Sequence, residues 1–160
     1  MKCFSFRSLA VALGLALFTG CQTTIPQGIQ EARIAMEQRI QAEPPGNYFI
    51  GRRYFKPDYH FWGYVRRPGQ PWSTAQLVMF NEKQKLAPDR ELVDFGFDNN
   101  YEYKLYGYFS GDMVYEPASN GIYPEFVLKG YELISTHPPP IFNSQFYGAN
   151  AGRYQIEKPQ

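Results

Sequence analysis

The sequence predicts a mainly β domain: a small OB-like barrel of five strands preceded by one N-terminal helix. Three observations carry this. After Gly46 the chain breaks into short runs of aromatic and β-branched residues separated by Gly, Pro and Asn, the texture of strands and turns. Five such runs fall within about 90 residues, which suits a small closed barrel, whereas a sandwich usually wants seven strands. Glycine recurs inside three of them, in Trp62-Gly63-Tyr64, Tyr106-Gly107-Tyr108 and Lys129-Gly130-Tyr131. Glycine weakens a strand, and sharp coiling in a closed barrel is a reason to keep it where large side chains would collide.

Residues 1–20 read as a secretory signal peptide. Lys2 and Arg7 form a positive head, Leu9 to Phe18 is apolar, and small residues follow. Ten apolar residues reach about 15 Å as a helix, half the hydrocarbon thickness, too short to span. Phe18-Thr19-Gly20-Cys21 resembles the lipobox of bacterial lipoproteins, with Phe18 in the position usually held by Leu. That resemblance implies cleavage before Cys21 and its acylation with a diacylglycerol plus an N-acyl chain, a durable anchor where one chain alone holds only marginally, at roughly 0.8 kcal/mol per buried methylene. Gln22, where enterobacterial inner-membrane lipoproteins carry Asp, implies the outer membrane, with the domain facing the periplasm.

Cleavage would leave 140 of the 160 residues, one domain's worth, with Cys21 as the sole cysteine and therefore no internal disulfide. The remaining 14 basic and 15 acidic side chains give a formal charge of −1. That balance argues against a nucleic-acid partner, whose binding rests on phosphate neutralisation. With no disulfide, the fold depends on its core, for which 13 Tyr, 13 Phe and 2 Trp supply the material.

Residues 21–45 form the lipidated tether and helix. Pro26 suits a first helical turn, and Ile29 to Glu43 has neither Pro nor Gly, with Ile29, Ala32, Met36 and Ile40 on one face. Arg33–Glu37 and Arg39–Glu43 are outward i,i+4 pairs, and Pro44-Pro45-Gly46 ends the helix. A narrow apolar stripe favours packing on the domain over a free spacer. The barrel domain is assigned to residues 46–137. Its strands are read at Tyr59–Arg66, Thr74–Asn81, Leu92–Phe97, Tyr101–Ser110 and Glu125–Ser135. Gly111 to Pro124 reads as a lid-like loop on one rim. His137-Pro138-Pro139-Pro140 closes the domain, since consecutive prolines cannot join a ladder. The tail, residues 138–160, keeps Phe142, Phe146, Tyr147 and Tyr154 and is expected to be partly ordered.

Several short motifs are similar to those of the starvation-inducible outer-membrane lipoproteins. They are Ile25-Pro26-Gln27 with Ile29; Pro45-Gly46-Asn47-Tyr48 with Gly51; Phe61 to Val65; Leu105 to Tyr108 with Gly111; and Tyr123-Pro124 through Leu128 to Tyr131. The likeness spans residues 21–135, while the tail and several spacings differ. It implies an OB-like, periplasm-facing lipoprotein and brings no catalytic residues with it.

Residue chemistry points the same way. The two histidines, His60 and His137, are far apart, and Asp58-x-His60 supplies two of the three ligands that a catalytic zinc wants. Ser110-Gly111-Asp112 and Ser135-Thr136-His137 lack a nucleophile elbow, and nothing fixes the separation of Glu116 and Glu125 as a glycosidase pair. No catalytic residue and no cofactor is assigned. Arg52-Arg53 and Arg66-Arg67 are interleaved with Tyr54, Phe55, Trp62, Tyr64 and Trp72, a pattern able to hold anions, glycans or a protein surface. Trp72, in a Pro-Gly-Gln-Pro-Trp loop, is the expected exposed contact, with Tyr115, Tyr123, Arg66 and Arg67 beside it. The function expected is a non-catalytic interaction module of the envelope, binding an envelope protein. The alternatives are a glycan or peptidoglycan binder and, behind that, an envelope hydrolase.

Overall fold

The computed structural model describes residues 27–142 and 158–160. Helix α1 spans Gln27–Gln41, β1 Phe49–Lys56, β2 His60–Arg66, β3 Gln76–Asn81, helix α2 Pro88–Glu91, β4 Glu102–Glu116 and β5 Gly121–Ser135. The five strands close into a barrel in the order β1-β2-β3-β5-β4. Every neighbouring pair is antiparallel except β3 and β5, which run parallel from Met79↔Glu125 to Asn81↔Val127. The architecture is a small OB-like barrel with one N-terminal helix.

Alternation divides the side chains into two cores. The barrel interior holds Phe49, Val65, Val78, Phe80, Tyr103, Leu105, Phe126 and Leu128, with Ala87 plugging one end. Phe126 is its hub, edge-on to Phe49, Phe80 and Phe109 at 5.1–5.8 Å, the geometry that ring quadrupoles prefer. The second core lies outside the barrel, where Met36 and Ile40 of α1 cover Ile50, Tyr64 and Trp72 together with Ile141 and Phe142. The helix therefore packs on the domain, as its narrow stripe suggested. Among the described residues no helix is long and apolar enough to cross a membrane.

Two of the three strand glycines are steric necessities. A Cβ at Gly63 would lie 2.3 Å from the Arg52 carbonyl oxygen, and one at Gly107 2.2 Å from that of Val127. Gly130 differs, since its nearest neighbour would be the Tyr106 side chain at 3.5 Å.

Three expectations are corrected. Strand β1, Phe49–Lys56, was not foreseen, because Arg52-Arg53 looks like surface. Leu92–Phe97 is not a strand but a series of turns after α2. Pro88 starts that helix, and left-handed residues at Val93 (φ 56°) and Gly96 (φ 82°) then roll the chain. Gly111–Pro124 is not a lid-like loop. β4 and β5 continue as a two-stranded arm to Glu116↔Gly121, joined by a turn over residues 117–120. A bulge between Phe109 and Met113, with Gly111 at φ 91°, breaks the alternation that would have betrayed it.

The described end of the tail returns to the barrel: Gln160 N–H donates to the Ile141 carbonyl at 2.9 Å, and Pro159 is buried. Cys21, Gln22, Phe146, Tyr147 and Tyr154 lie outside the described residues.

Candidate functional site

Outward-facing residues of β1 and β2 build an arginine–aromatic layer. Trp72, in a short 3-10 turn over Trp72–Thr74, sits between two guanidinium groups, Arg52 at 4.9 Å and Arg66 at 4.8 Å from its ring centre. Arg52 donates to Glu102 at 2.8 Å and to the Pro139 carbonyl at 2.8 Å, while Arg66 holds Glu43 through two 2.6 Å bonds. Burial pulls the Arg52 pKa down against the raising effect of Glu102. Beside this layer Tyr54 stacks on Trp62 at 4.7 Å and donates to Asn100 at 2.7 Å.

This layer corrects the sequence reading of Trp72 and Arg66 as exposed contacts. Trp72 is 1% exposed and Arg66 2% exposed, beneath α1 and residues 139–142. A loop tryptophan becomes buried here because two cations from neighbouring strands and a returning chain segment enclose it. Arg67 is exposed, with its guanidinium 4.0 Å from the Phe49 ring. A groove of about 350 Å³ lies between α1 and the sheet, lined by Met36, Ile40, Ile50 and Ile134, with Arg39 and Lys104 also at its walls.

Arg53 points the other way, into the barrel end. It contacts Glu82 at 2.5 Å, Asp89 at 2.7 Å and Asp98 at 3.7 Å, all buried. Burial lowers its pKa, but the Asp89 and Glu82 carboxylates outweigh that and the net shift is upward. Asp98, which accepts the Tyr103 hydroxyl at 3.0 Å, is raised by burial, with Arg53 opposing. Three carboxylates around one guanidinium, with Arg90 also on Glu82 at the edge, hold α2 and the turns after it to β1.

The β4–β5 arm supplies the accessible side chains. Tyr115 is 57% exposed, as expected, and the arm adds Met113 and Ile122, which the sequence reading did not single out. Their signal was the alternation of Met113 and Tyr115 against Val114 and Glu116, hidden behind Gly111. Tyr123 is half-buried, its hydroxyl 2.9 Å from Ser119 Oγ. Glu116 anchors the turn by accepting Ala118 N–H, Ser119 N–H and Ser119 Oγ–H at 2.6–2.8 Å. Burial raises its pKa, yet these bonds and the field of His60 bring the net shift down.

The structure does not gather the sparse catalytic types into one centre. Glu125 accepts Asn81 Nδ2 at 2.9 Å and pairs in register with β3, while Glu116 is committed to its own turn. His137 shares a 2.8 Å hydrogen bond with Thr136, and His60 is exposed beside an exposed Asp58. Among the described residues no three His, Cys, Asp or Glu side chains are grouped to hold a metal.

Comparison with known protein families, with curated proteins and with solved structures finds no match to this chain.

Proposed function

We propose that this chain is an outer-membrane lipoprotein, anchored through Cys21, that presents its OB-like barrel to the periplasm as a non-catalytic interaction module serving envelope maintenance or stress. The observation that carries the interaction reading is the β4–β5 arm, whose Met113, Tyr115 and Ile122 are 57–64% exposed on a hydrogen-bonded ribbon. Large apolar side chains on a rigid element are the usual anchors of protein contacts, because little order is lost on binding. The covered Arg52–Trp72–Arg66 layer favours the arm over the barrel wall as the contact. The anchoring reading is supported by the apolar N-terminal run, the lipobox-like Phe18 to Cys21 and Gln22. The motifs similar to the starvation-inducible lipoproteins favour the same setting.

Cross-linking in intact cells, followed by mass spectrometry, tests this. The native chain is expected to capture one discrete envelope protein. Cys21→Ala should lose that product by misplacing the domain, and Tyr115→Ala with Ile122→Ala should lose it while leaving the fold intact. Capture that survives the arm substitutions overturns the arm as the contact. Recovery of glycan fragments in place of protein moves the reading to a glycan-binding module, with Tyr108 and Tyr115 as its stacking rings.

A further inference from the structure

The turns after α2 form an apolar surface that no fold requirement explains. Leu92 is 69% exposed, Val93 75%, Phe95 51% and Phe97 39%. Phe95 continues inward onto Phe55 at 5.2 Å and Phe61 at 6.2 Å, so the patch is the outer edge of an aromatic cluster at this end of the barrel. Its backbone is held at both ends. Asp89 accepts Gly96 N–H at 3.0 Å, and Asn99 brackets Phe55 with bonds to its N–H at 2.7 Å and its carbonyl at 3.2 Å. Val93 keeps a left-handed backbone, unfavourable for a β-branched residue, while its side chain faces solvent. These side chains are presented outward on a pinned loop.

The direction of α1 identifies what they meet. Its C-terminal end is tied through Glu43 to Arg66, the register partner of Ile50, and Met36 lies beside Arg52, two residues further along β1. The helix therefore runs antiparallel to β1. From Met36 back to Gln27 it rises about 13 Å, close to the distance from Arg52 to Lys56 along the strand. The N-terminus of α1 thus points to the barrel end that carries Phe55 and the patch. Cys21 precedes Gln27 by six residues, at most about 20 Å of extended chain.

We propose that this end of the barrel lies on the bilayer, with Leu92, Val93, Phe95 and Phe97 inserted among the lipid headgroups as a second attachment beside the lipid at Cys21. This rests on the anchored reading above. An exposed apolar turn suits a fluid lipid surface, and beside a durable lipid anchor a second membrane contact fixes how the barrel sits on the bilayer. The charges around it, Lys56, Lys83 and Lys85 against Asp58, Glu91 and Asp94, balance, with Lys85 paired to Glu91, so insertion is apolar and persists in high salt.

The test uses the full chain isolated from cells and reconstituted in vesicles of phosphatidylethanolamine and phosphatidylglycerol containing brominated phosphatidylcholine. A reporter indole is introduced as Phe95→Trp, or as Gln70→Trp in the exposed β2–β3 turn beside Glu43, at the other end of α1, and its emission is read as the difference from the parent chain. The expected result is a blue shift and bromolipid quenching for Phe95→Trp, unchanged by salt, and neither for Gln70→Trp. A solvent-like indole at position 95 on vesicle-bound protein, or equal quenching at both positions, overturns the inference while leaving the anchor standing. An indole at position 95 already blue-shifted in a vesicle-free dimer overturns it in favour of a second copy as occupant. Mass analysis of the Cys21 peptide separates the two readings. If Cys21 carries no lipid the anchored reading falls, and quenching of the Phe95→Trp variant by added vesicles then either sustains the patch as a bilayer contact or removes it.

Discussion

Gly63→Ala and Gly130→Ala are chemically the same change in two strands of one barrel, and the structure predicts opposite outcomes. At Gly63 the new methyl would lie 2.3 Å from the Arg52 carbonyl oxygen, 3.0 Å from Arg53 Cα and 2.8 Å from the Phe80 ring. The ring can swing, but the first two are backbone of the neighbouring strand, so β1 must retreat by about 0.7 Å merely to reach the shortest distance real Cβ atoms show. That displacement pulls on the ladder Arg52↔Tyr64 and Arg53↔Gly63 and on the buried ion pairs of both arginines. Overpacking alone costs about 1–3 kcal/mol, and with strand backbone as the obstacle the expected loss is at the top of that range, about 3 kcal/mol. For a domain of this size that lowers the thermal midpoint by about 10 °C or more. At Gly130 the nearest atom would be an ordinary van der Waals neighbour of Tyr106, so alanine gains the unfolded-state entropy term, about 0.5 kcal/mol. Urea unfolding of the two variants beside the parent, followed by tryptophan emission, reads the difference directly. Midpoints for the two variants within about 0.5 kcal/mol of each other would refute the claim that strand crowding in a closed barrel selects glycine at position 63.

Other consequences follow from the buried charges and the arm. Arg53→Met leaves Glu82, Asp89 and Asp98 without their common cation and is expected to cost about 3–5 kcal/mol in urea unfolding at neutral pH, less as the carboxylates take up protons in acid. Asp98 is raised by burial, so the folded state holds that proton more readily than the unfolded one, and its contribution to stability falls as pH rises from the ordinary carboxylate value through the folded one. Asp98→Asn should flatten that descent in a pH series of unfolding curves, since the amide oxygen still accepts the Tyr103 hydroxyl; Glu116, shifted downward, acts only at lower pH and with the opposite sign. Glu43→Ala leaves the fully buried Arg66 without its carboxylate and should cost about 2–3 kcal/mol, read as faster hydrogen exchange in α1 ahead of the barrel. Tyr115→Ala removes a largely exposed ring and should change unfolding free energy by no more than about 0.5 kcal/mol.

The strands legible in the sequence were those rich in aromatic and β-branched residues or alternating in polarity between turn signals. Thr74–Asn81 and Glu125–Ser135 both overlap strands of the barrel, and Tyr59–Arg66 coincides with β2 from His60 onward. β1 escaped because its inward positions include Arg53, whose burial is intelligible only once Glu82, Asp89 and Asp98 arrive from loops 29 or more residues away. The false strand at Leu92–Phe97 had the right composition and the wrong surroundings, since among the described residues no strand pairs with it and Leu92 and Val93 stay 69% and 75% exposed. Trp72 was misread for the converse reason. A proline- and glycine-rich loop implies exposure, but what buries Trp72 are Arg52, Arg66 and Ile141, and no local pattern announces that they converge. The rim tyrosine at 115 was legible because an exposed aromatic on a turn-proximal segment needs no distant partner.

The order in which the strands close has a kinetic consequence. Arg52 meets Glu102 across a separation of 50 residues, and Asn81 reaches Glu125 across 44. Only β1 with β2, β2 with β3, and β4 with β5 can zip locally. Any chain emerging from its N-terminus therefore displays β1 to β3, with Trp62, Tyr64 and Phe80, as an unsealed aromatic sheet until β5 docks on β3. Such long-range closure is entropically slow and belongs with folding times of milliseconds to seconds. During that interval the unpaired edges of β1 and β3 are open to other strands. The last β-strand thus acts as the seal of the molecule, and truncation before Gly121 should convert a closed barrel into an aggregating meander rather than a smaller domain.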